Sequence, residues 1–210
     1  VRIPFMTGKG GLEGVVAAAS AVCFIDGTKG ILVYRGYDIR ELAEHSCFEE
    51  TAYLLLKGEL PTPAQLADFR RGLADQQELP AGLRKILPDL FKGASPMEAL
   101  RTAVSALACF DEEKDNATVA ANYSRALQLV ARVSTIAAAY VRTRQGHEPV
   151  HPRADLGFAA NFLYMLSGKE PAPEAAHALD VALVLHAEHG FNASTFAARV
   201  TASTLSDIYS

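Results

Sequence analysis

Residues 118–145 constrain the fold more than any other part of this sequence. They predict the longest helix of the chain, and within it residues 136–141 leave almost no polar face. A helix that is apolar on nearly all sides must be covered on nearly all sides. We therefore expect either a large helical core or a helix-rich homodimer interface around it.

Capping and helix-breaking residues divide much of the remaining sequence into shorter helices. Asp38 with Glu41, and Ser46 with Glu49, match the capping-box pattern of a helix start. Gly58 is expected to end the second of these helices. Further helices are predicted over residues 63–77, 96–108, 155–166, 174–186 and 194–206, with a short segment bracketed by Pro80 and Pro88.

Strand signals are confined to the beginning of the chain and stop at about Tyr37. Residues 15–24 are rich in small and β-branched side chains, and a glycine-bracketed turn at residues 26–30 separates them from the apolar run 31–34. Two short apolar runs joined by such a turn predict a β-hairpin.

The predicted fold class is all-α: a large helical domain with a small N-terminal β-hairpin. We expect no domain boundary within residues 11–210, because no internal repeat and no Gly/Ser-rich linker occurs there. Residues 1–10 are interpreted as an N-terminal extension, in which Met6 is a candidate initiator and residues 1–5 would be left from cloning.

Composition narrows the class of protein further. With 50% apolar and 21% charged residues among 210, the chain is typical of globular proteins. The net charge of −4 and the lack of Lys/Arg runs predict no nucleic-acid and no membrane partner. Cys23, Cys47 and Cys109 are odd in number, show no CxxC spacing and have apolar neighbours, so we expect reduced, buried thiols in a cytoplasmic protein.

Residues 185–195 gather the side chains that could carry chemistry. His186, His189, Asn192 and Ser194 lie where one predicted helix ends and the next begins. Backbone N–H groups and the dipole at a helix N-terminus favour an anion. A small carboxylate substrate would therefore suit this junction.

Two other interpretations of the same residues stay open. The histidines can cap the last turn of one helix while Asn192 and Ser194 only cap the next. A zinc site has weaker support, because His186 and His189 are three residues apart rather than four and no third ligand is evident. No metal is predicted.

Short stretches in order along the chain carry a resemblance to a known family. They are GLEGV at 11–15, IDG at 25–27, YRGYDI at 34–39, LAE at 42–44, FEETAYLL at 48–55, GELP at 58–61, SPM at 95–97, ANFLYM at 160–165 and the run 185–207. On these residues the chain resembles the citrate synthase family from about Gly11 to its end, and it is identified as the N-terminal portion only.

The resemblance implies the large helical domain of the citrate synthase fold and an acyltransferase that condenses acetyl-CoA with oxaloacetate to citrate and CoA. The apolar helices, rather than the resemblance, predict a homodimer. Acetyl-CoA would be a co-substrate, with no permanently bound cofactor. The nearest alternative is 2-methylcitrate synthase, which uses propionyl-CoA. An alternative of another class is a non-catalytic helical dimerisation module. Family members are nearly twice as long, so the C-terminal part and the small domain are expected to be absent and this chain alone to be inactive.

Roles for individual residues follow from the resemblance. It implies that His189 binds an oxaloacetate carboxylate with Asn192 beside it, and that His186 positions this substrate-binding loop. The Ser194 hydroxyl would support the catalytic histidine that stabilises the acetyl-CoA enol. Arg35 resembles a basic residue near the CoA phosphates, with a plain surface arginine as the alternative.

The loop also departs from the family pattern. Many relatives carry Asp and Glu where this chain has Glu188 and Gly190. This difference leaves the substrate preference open.

Overall fold

The computed structural model describes Val16 and residues 18–210. The predicted N-terminal extension, residues 1–10, and the GLEGV stretch at 11–15 lie outside the described residues. The described part begins with strands β1 (Cys23–Asp26), β2 (Ile31–Tyr34) and β3 (Tyr37–Asp38). Helices follow, with a short 3-10 helix (Leu107–Phe110) after the fifth: α1 (Ile39–His45), α2 (Phe48–Lys57), α3 (Pro63–Gln76), α4 (Ala81–Phe91), α5 (Pro96–Ala106), α6 (Val119–Arg144), α7 (Phe158–Ser167), α8 (Pro173–Leu185) and α9 (Ala193–Ser203). The predicted fold class, mainly helical with a small sheet at the start, is confirmed.

The predicted hairpin forms, and the sheet has one strand more than expected. β1 and β2 pair antiparallel, with Cys23 opposite Tyr34. The Asp26 carboxylate stabilises the turn by accepting a hydrogen bond from the Thr28 N–H at 3.1 Å. The two-residue strand β3 then pairs with β2, with Tyr37 opposite Tyr34.

Helix α6 is the central element of the helical core. It packs against α3, α4, α5 and α7, and Ile136, Ala138 and Ala139 are buried. Much of the apolar run 136–141 is therefore covered within the chain, as the large-core expectation required, whereas Val141 is exposed. Neither α6 nor any other helix in the described part combines the length and the apolar character that a membrane span requires.

Local capping signals identify several helix ends correctly. Thr62 forms a reciprocal capping box with Gln65 at the start of α3, and Ser95 starts α5 in the same way. Asp38 caps α1 through the Arg40 N–H at 2.8 Å, but its predicted capping-box partner Glu41 takes no part in the cap and lies 3.8 Å from His45 Nε2. At the end of α2, Gly58 adopts the left-handed conformation with φ of 95°.

The predicted capping box of Ser46 and Glu49 is wrong, because tertiary partners replace the local ones. The Phe48 N–H at the start of α2 donates to Asp180 of α8 at 3.1 Å. Glu49 is buried and accepts a hydrogen bond from the Phe158 N–H at the start of α7, at 3.0 Å. The first turns of α2 and α7 are thus each stabilised by a carboxylate from another helix.

Two helix boundaries differ from the predictions because side-chain packing outweighs the local signal. Pro88 lies inside α4 rather than ending a segment. Leu83, Leu87 and Phe91 are all fully buried at a spacing of four residues, so the buried face of α4 continues past the proline. Helix α7 begins at Phe158, three residues later than predicted.

The helix predicted over residues 194–206 also ends earlier than expected. Helix α9 ends at Ser203, and Leu205 has a positive φ of 62°. Tyr209 then returns to the core, where it is buried and donates a hydrogen bond to Asp111 at 2.9 Å.

A small apolar cluster connects the hairpin to the end of α8. It contains Tyr34 of β2, Leu42 of α1, Leu54 of α2 and Val184 of α8. Because Val184 is the penultimate residue of α8, this cluster holds the point from which the 186–192 loop leaves the core.

Candidate substrate site at the end of α8

The end of α8 is capped by the first of the two predicted site histidines. His186 is the C-cap residue of α8. Its ring Nδ1 lies 2.7 Å from the Ala182 carbonyl oxygen, so Nδ1 carries the proton and donates it. The capping interpretation therefore holds for His186, which agrees with a role in positioning the loop.

The side-chain amide of Asn192 makes two hydrogen bonds. Its Oδ1 accepts a hydrogen bond from the Thr195 N–H at 2.8 Å, which makes Asn192 the N-cap of α9. Its Nδ2 lies 3.1 Å from His189 Nε2. Because an amide NH₂ can only donate, His189 Nε2 accepts, and the neutral ring has its proton on Nδ1.

His189 presents its free ring edge to solvent. Its side chain is exposed rather than enclosed in the apolar core, and within the described part of the chain the ring is hydrogen-bonded only through Nε2. The Nδ1–H donor is thus free for a ligand. Ser194 is also exposed and lies in the first turn of α9, where the main-chain N–H groups have no intrahelical acceptor.

The junction therefore brings His189 and Asn192 into contact, and Ser194 follows in the first turn of α9. An exposed imidazole ring thus lies beside the positive end of the α9 dipole. This arrangement favours a small anion.

Tyr34 of the hairpin forms hydrogen bonds to the loop between His186 and His189. The Tyr34 hydroxyl lies 2.9 Å from the Glu188 carbonyl oxygen and accepts a hydrogen bond from the Glu188 N–H at 3.1 Å. The Glu188 carboxylate accepts a hydrogen bond from the Gly190 N–H at 2.5 Å, and Gly190 has a φ of 88° that favours glycine. Burial raises the pKa of the Tyr34 hydroxyl.

Cys23 of β1 makes a second contact with the same loop. Its Sγ lies 3.7 Å from Glu188 Oε1. Burial, and then the neighbouring Glu188 charge, raise the pKa of the Cys23 thiol, so this sulfur stays protonated and can donate.

The structure places Arg35 away from this set of side chains. Its backbone has a φ of 48°, and its guanidinium donates to the main-chain carbonyls of Leu55 at 3.1 Å and Ala21 at 3.5 Å. These bonds connect the hairpin to α2. Its contact with CoA stays a prediction.

A cleft in the described part of the chain lies elsewhere than at this junction. It has a volume of about 670 Å³ and lies between α2, α3, α7 and α8, with Glu49, Arg70 and Asp180 among its lining residues. His186, His189, Asn192 and Ser194 are not in its lining. Across the described residues, no three His, Cys, Asp or Glu side chains are arranged to hold a metal ion.

Two residues at the junction were not identified from the sequence. Tyr34 was assigned only to a strand, although a buried tyrosine needs a partner for its hydroxyl. Arg199 of α9 lies with its guanidinium carbon 4.8 Å from the centre of the Phe191 ring. This contact brings a positive charge close to the loop, and no local sequence pattern indicates it.

Fold and site together define a mainly helical protein with an exposed imidazole beside a helix N-terminus. A family model described as "Citrate synthase, C-terminal domain" matches residues 11–210. The citrate synthase of Deinococcus radiodurans is 50% identical over 200 residues, which cover 95% of this chain and 53% of the relative. That of Haloferax volcanii is 48% identical over 206 residues, covering 96% and 54%. The chain belongs to the citrate synthase family.

A solved structure and a functional variant of the family are also similar. The crystal structure of citrate synthase from Pyrobaculum aerophilum superimposes with a TM-score of 0.87 at 44% identity, covering 93% of this chain and 51% of that one. A protein of Mycobacterium tuberculosis named 2-methylcitrate synthase is 42% identical over 202 residues, covering 96% and 51%. The chain thus spans about half the length of the curated relatives it matches.

Proposed function

We propose that this chain carries the oxaloacetate-binding part of a citrate synthase, the acyltransferase that joins acetyl-CoA to oxaloacetate. The free Nδ1–H of the exposed His189 ring, oriented by Asn192 at 3.1 Å, is the observation that supports this most directly. A carboxylate of oxaloacetate would accept a hydrogen bond from that N–H and lie at the N-terminal, positive end of the α9 dipole.

In this proposal the described residues bind and orient the substrate. His189 donates to oxaloacetate, Asn192 keeps the ring in the Nδ1–H tautomer, and His186 fixes the loop through Ala182. The Ser194 hydroxyl would hold a second catalytic side chain close to acetyl-CoA, and Arg35 would lie near the CoA phosphates. Condensation itself needs a base for the methyl proton of acetyl-CoA and donors for the enol oxygen.

The proposal predicts binding without turnover for this chain. Oxaloacetate should cause saturable shifts in the ring ¹H–¹⁵N signals of His189, whereas acetyl-CoA with oxaloacetate should release no CoA in a thiol assay. Malonate, a shorter dicarboxylate, serves as a control for nonspecific anion effects. Unchanged His189 signals at saturating oxaloacetate would contradict the binding site, and oxaloacetate-dependent CoA release would contradict the expected inactivity.

A second candidate, 2-methylcitrate synthase, is favoured by the similarity to the mycobacterial protein of that name. Both activities use oxaloacetate, and their acyl groups differ by one methylene. A binding pocket discriminates between two substrates that differ by one methylene by only about 1–3 kcal/mol. The rates with acetyl-CoA and propionyl-CoA, measured on a protein of the relatives' full length, separate them.

We also propose that the chain forms a homodimer and folds in the cytoplasm. Large apolar side chains are exposed on helices, among them Met97 and Val200 at 70% and 51%, and such surfaces often mark protein contacts. All three cysteines are free thiols, which supports a reducing compartment, but none is fully buried as predicted: Cys23 and Cys47 are half-buried and Cys109 is exposed. Light scattering coupled to gel filtration should give twice the mass of one chain. A dimer that does not bind oxaloacetate would instead support the non-catalytic dimerisation module.

A further inference from the structure

We infer that Tyr34 is a positioning residue for the oxaloacetate loop, acting through the main chain of Glu188. The inference rests on the proposed function of His189 as the oxaloacetate-binding residue. It adds a role for the N-terminal hairpin, whose second strand ends at Tyr34.

The Tyr34 hydroxyl pairs with both polar main-chain groups of one loop residue. Glu188 N–H donates to it at 3.1 Å, and the Glu188 carbonyl oxygen lies 2.9 Å away. A more distant carbonyl, that of Leu185, lies at 3.3 Å. Since a phenol has one proton, the shorter contact to Glu188 takes it, and the hydroxyl acts as both donor and acceptor for that residue.

The contact restrains the residue next to His189, and so it restrains the main chain that carries the His189 ring. Glu188 directly precedes His189, whose own ring is bonded only to Asn192 within the described part of the chain. The main chain that carries the His189 ring is thus fixed at Glu188 on one side and at the Asn192 cap of α9 on the other.

Tyr34 itself cannot adjust to a displaced loop. Its side chain is fully buried, in the cluster with Leu42, Leu54 and Val184. The hydroxyl position is therefore set by the hairpin and by α1, α2 and α8 rather than by the loop. A second, weaker contact from the hairpin, Cys23 Sγ to Glu188 Oε1 at 3.7 Å, restrains the same residue through its side chain.

The test compares the fully buried Tyr34 with the partly buried Tyr140, because each donates a hydrogen bond to a main-chain carbonyl. Tyr34→Phe removes the loop contact and keeps the ring, whereas the control Tyr140→Phe removes a 2.9 Å bond to the Ala94 carbonyl in the helical core. Both variants should lower Tm by a similar amount. Only Tyr34→Phe should change the His189 ring ¹⁵N shifts, and it should raise the Kd for oxaloacetate about tenfold because the donor is displaced from its binding geometry.

The His189 ring ¹⁵N shifts are measured without ligand, so they test this inference independently of the proposed function. If the wild-type chain binds no oxaloacetate, the proposed function fails, while the His189 ¹⁵N shifts still decide the role of Tyr34. Equal shifts in both variants, or shifts in neither, would overturn that role. Hydrogen exchange in the wild-type chain gives a check that needs no folded variant: the Glu188 amide should be protected, and free exchange there would also overturn it.

Discussion

Replacing His189 with alanine should raise the dissociation constant for oxaloacetate by about ten- to a hundredfold. The ring supplies the free Nδ1–H donor, because its Nε2 is occupied by Asn192. A hydrogen bond to a charged group contributes about 1.5–3 kcal/mol, and about 1.4 kcal/mol corresponds to a factor of ten. Isothermal titration calorimetry of both chains with oxaloacetate measures the difference directly.

His147→Ala is the matched control for this experiment. His147 is also an exposed histidine, but it lies in the loop between α6 and α7, outside the α8–α9 junction. Its removal should leave the dissociation constant within about twofold of wild type. Retention of wild-type affinity in His189→Ala, or an equal loss in the two variants, would contradict the assignment of the site.

The fold was predictable where the decisive contacts are local. Thr62 with Gln65 and Ser95 with Glu98 form the bonds that their spacing indicates, because both partners lie within one helical turn. Local patterns failed at Glu49, whose spacing also fits a capping box. Its carboxylate instead binds the Phe158 N–H, 109 residues away in the sequence, and no local pattern contains that partner.

In the candidate site, too, the local contact could be predicted from the sequence and the long-range contacts could not. The grouping of His189 with Asn192 could be inferred because the two residues are three apart, and the structure places their side chains within 3.1 Å. The restraint from Tyr34 spans 154 residues and depends on how the hairpin packs against the end of α8. For Arg35, the charge could be read from the sequence, whereas the main-chain carbonyls that its guanidinium contacts depend on tertiary packing.

The largest effect on stability is expected at Arg125, a nearly fully buried residue of α6. Its Nε donates to Asp111 Oδ2 at 2.7 Å, and its Nη1 donates to the Asn116 carbonyl at 2.6 Å. Tyr209 donates to the same Asp111 oxygen at 2.9 Å, which connects the end of the chain to this pair. Burial together with the bond to Asp111 raises the pKa of Tyr209 to about 12.

Arg125→Met should lower the free energy of unfolding at pH 7 by about 3–5 kcal/mol, because it leaves the Asp111 carboxylate largely buried without its cation. For a chain of this size the loss corresponds to a fall in Tm of about 6–20 °C. Urea unfolding followed by circular dichroism measures it. Arg71→Met is the control: the Arg71–Asp68 pair is 69% and 73% exposed, so its loss should cost less than about 1 kcal/mol.

The pH dependence of the stability lost in Arg125→Met tests whether the unpaired Asp111 carboxylate causes the loss. Burial acts to raise the pKa of Asp111, but the hydrogen bonds from Arg125 and Tyr209 outweigh it and hold that pKa below its ordinary value. In wild type the contribution of Asp111 is therefore complete above pH about 4 and is lost as the pH falls through the lower folded-state pKa. In the variant, burial without the cation raises that pKa, so protonation removes the uncompensated charge earlier. The stability difference between the two chains should thus begin to shrink as the pH falls through the raised Asp111 pKa of the variant, above about 4, and should keep shrinking until the wild-type Asp111 is protonated. A difference that stays constant with pH would mean that lost packing, and not the unpaired carboxylate, destabilises the variant.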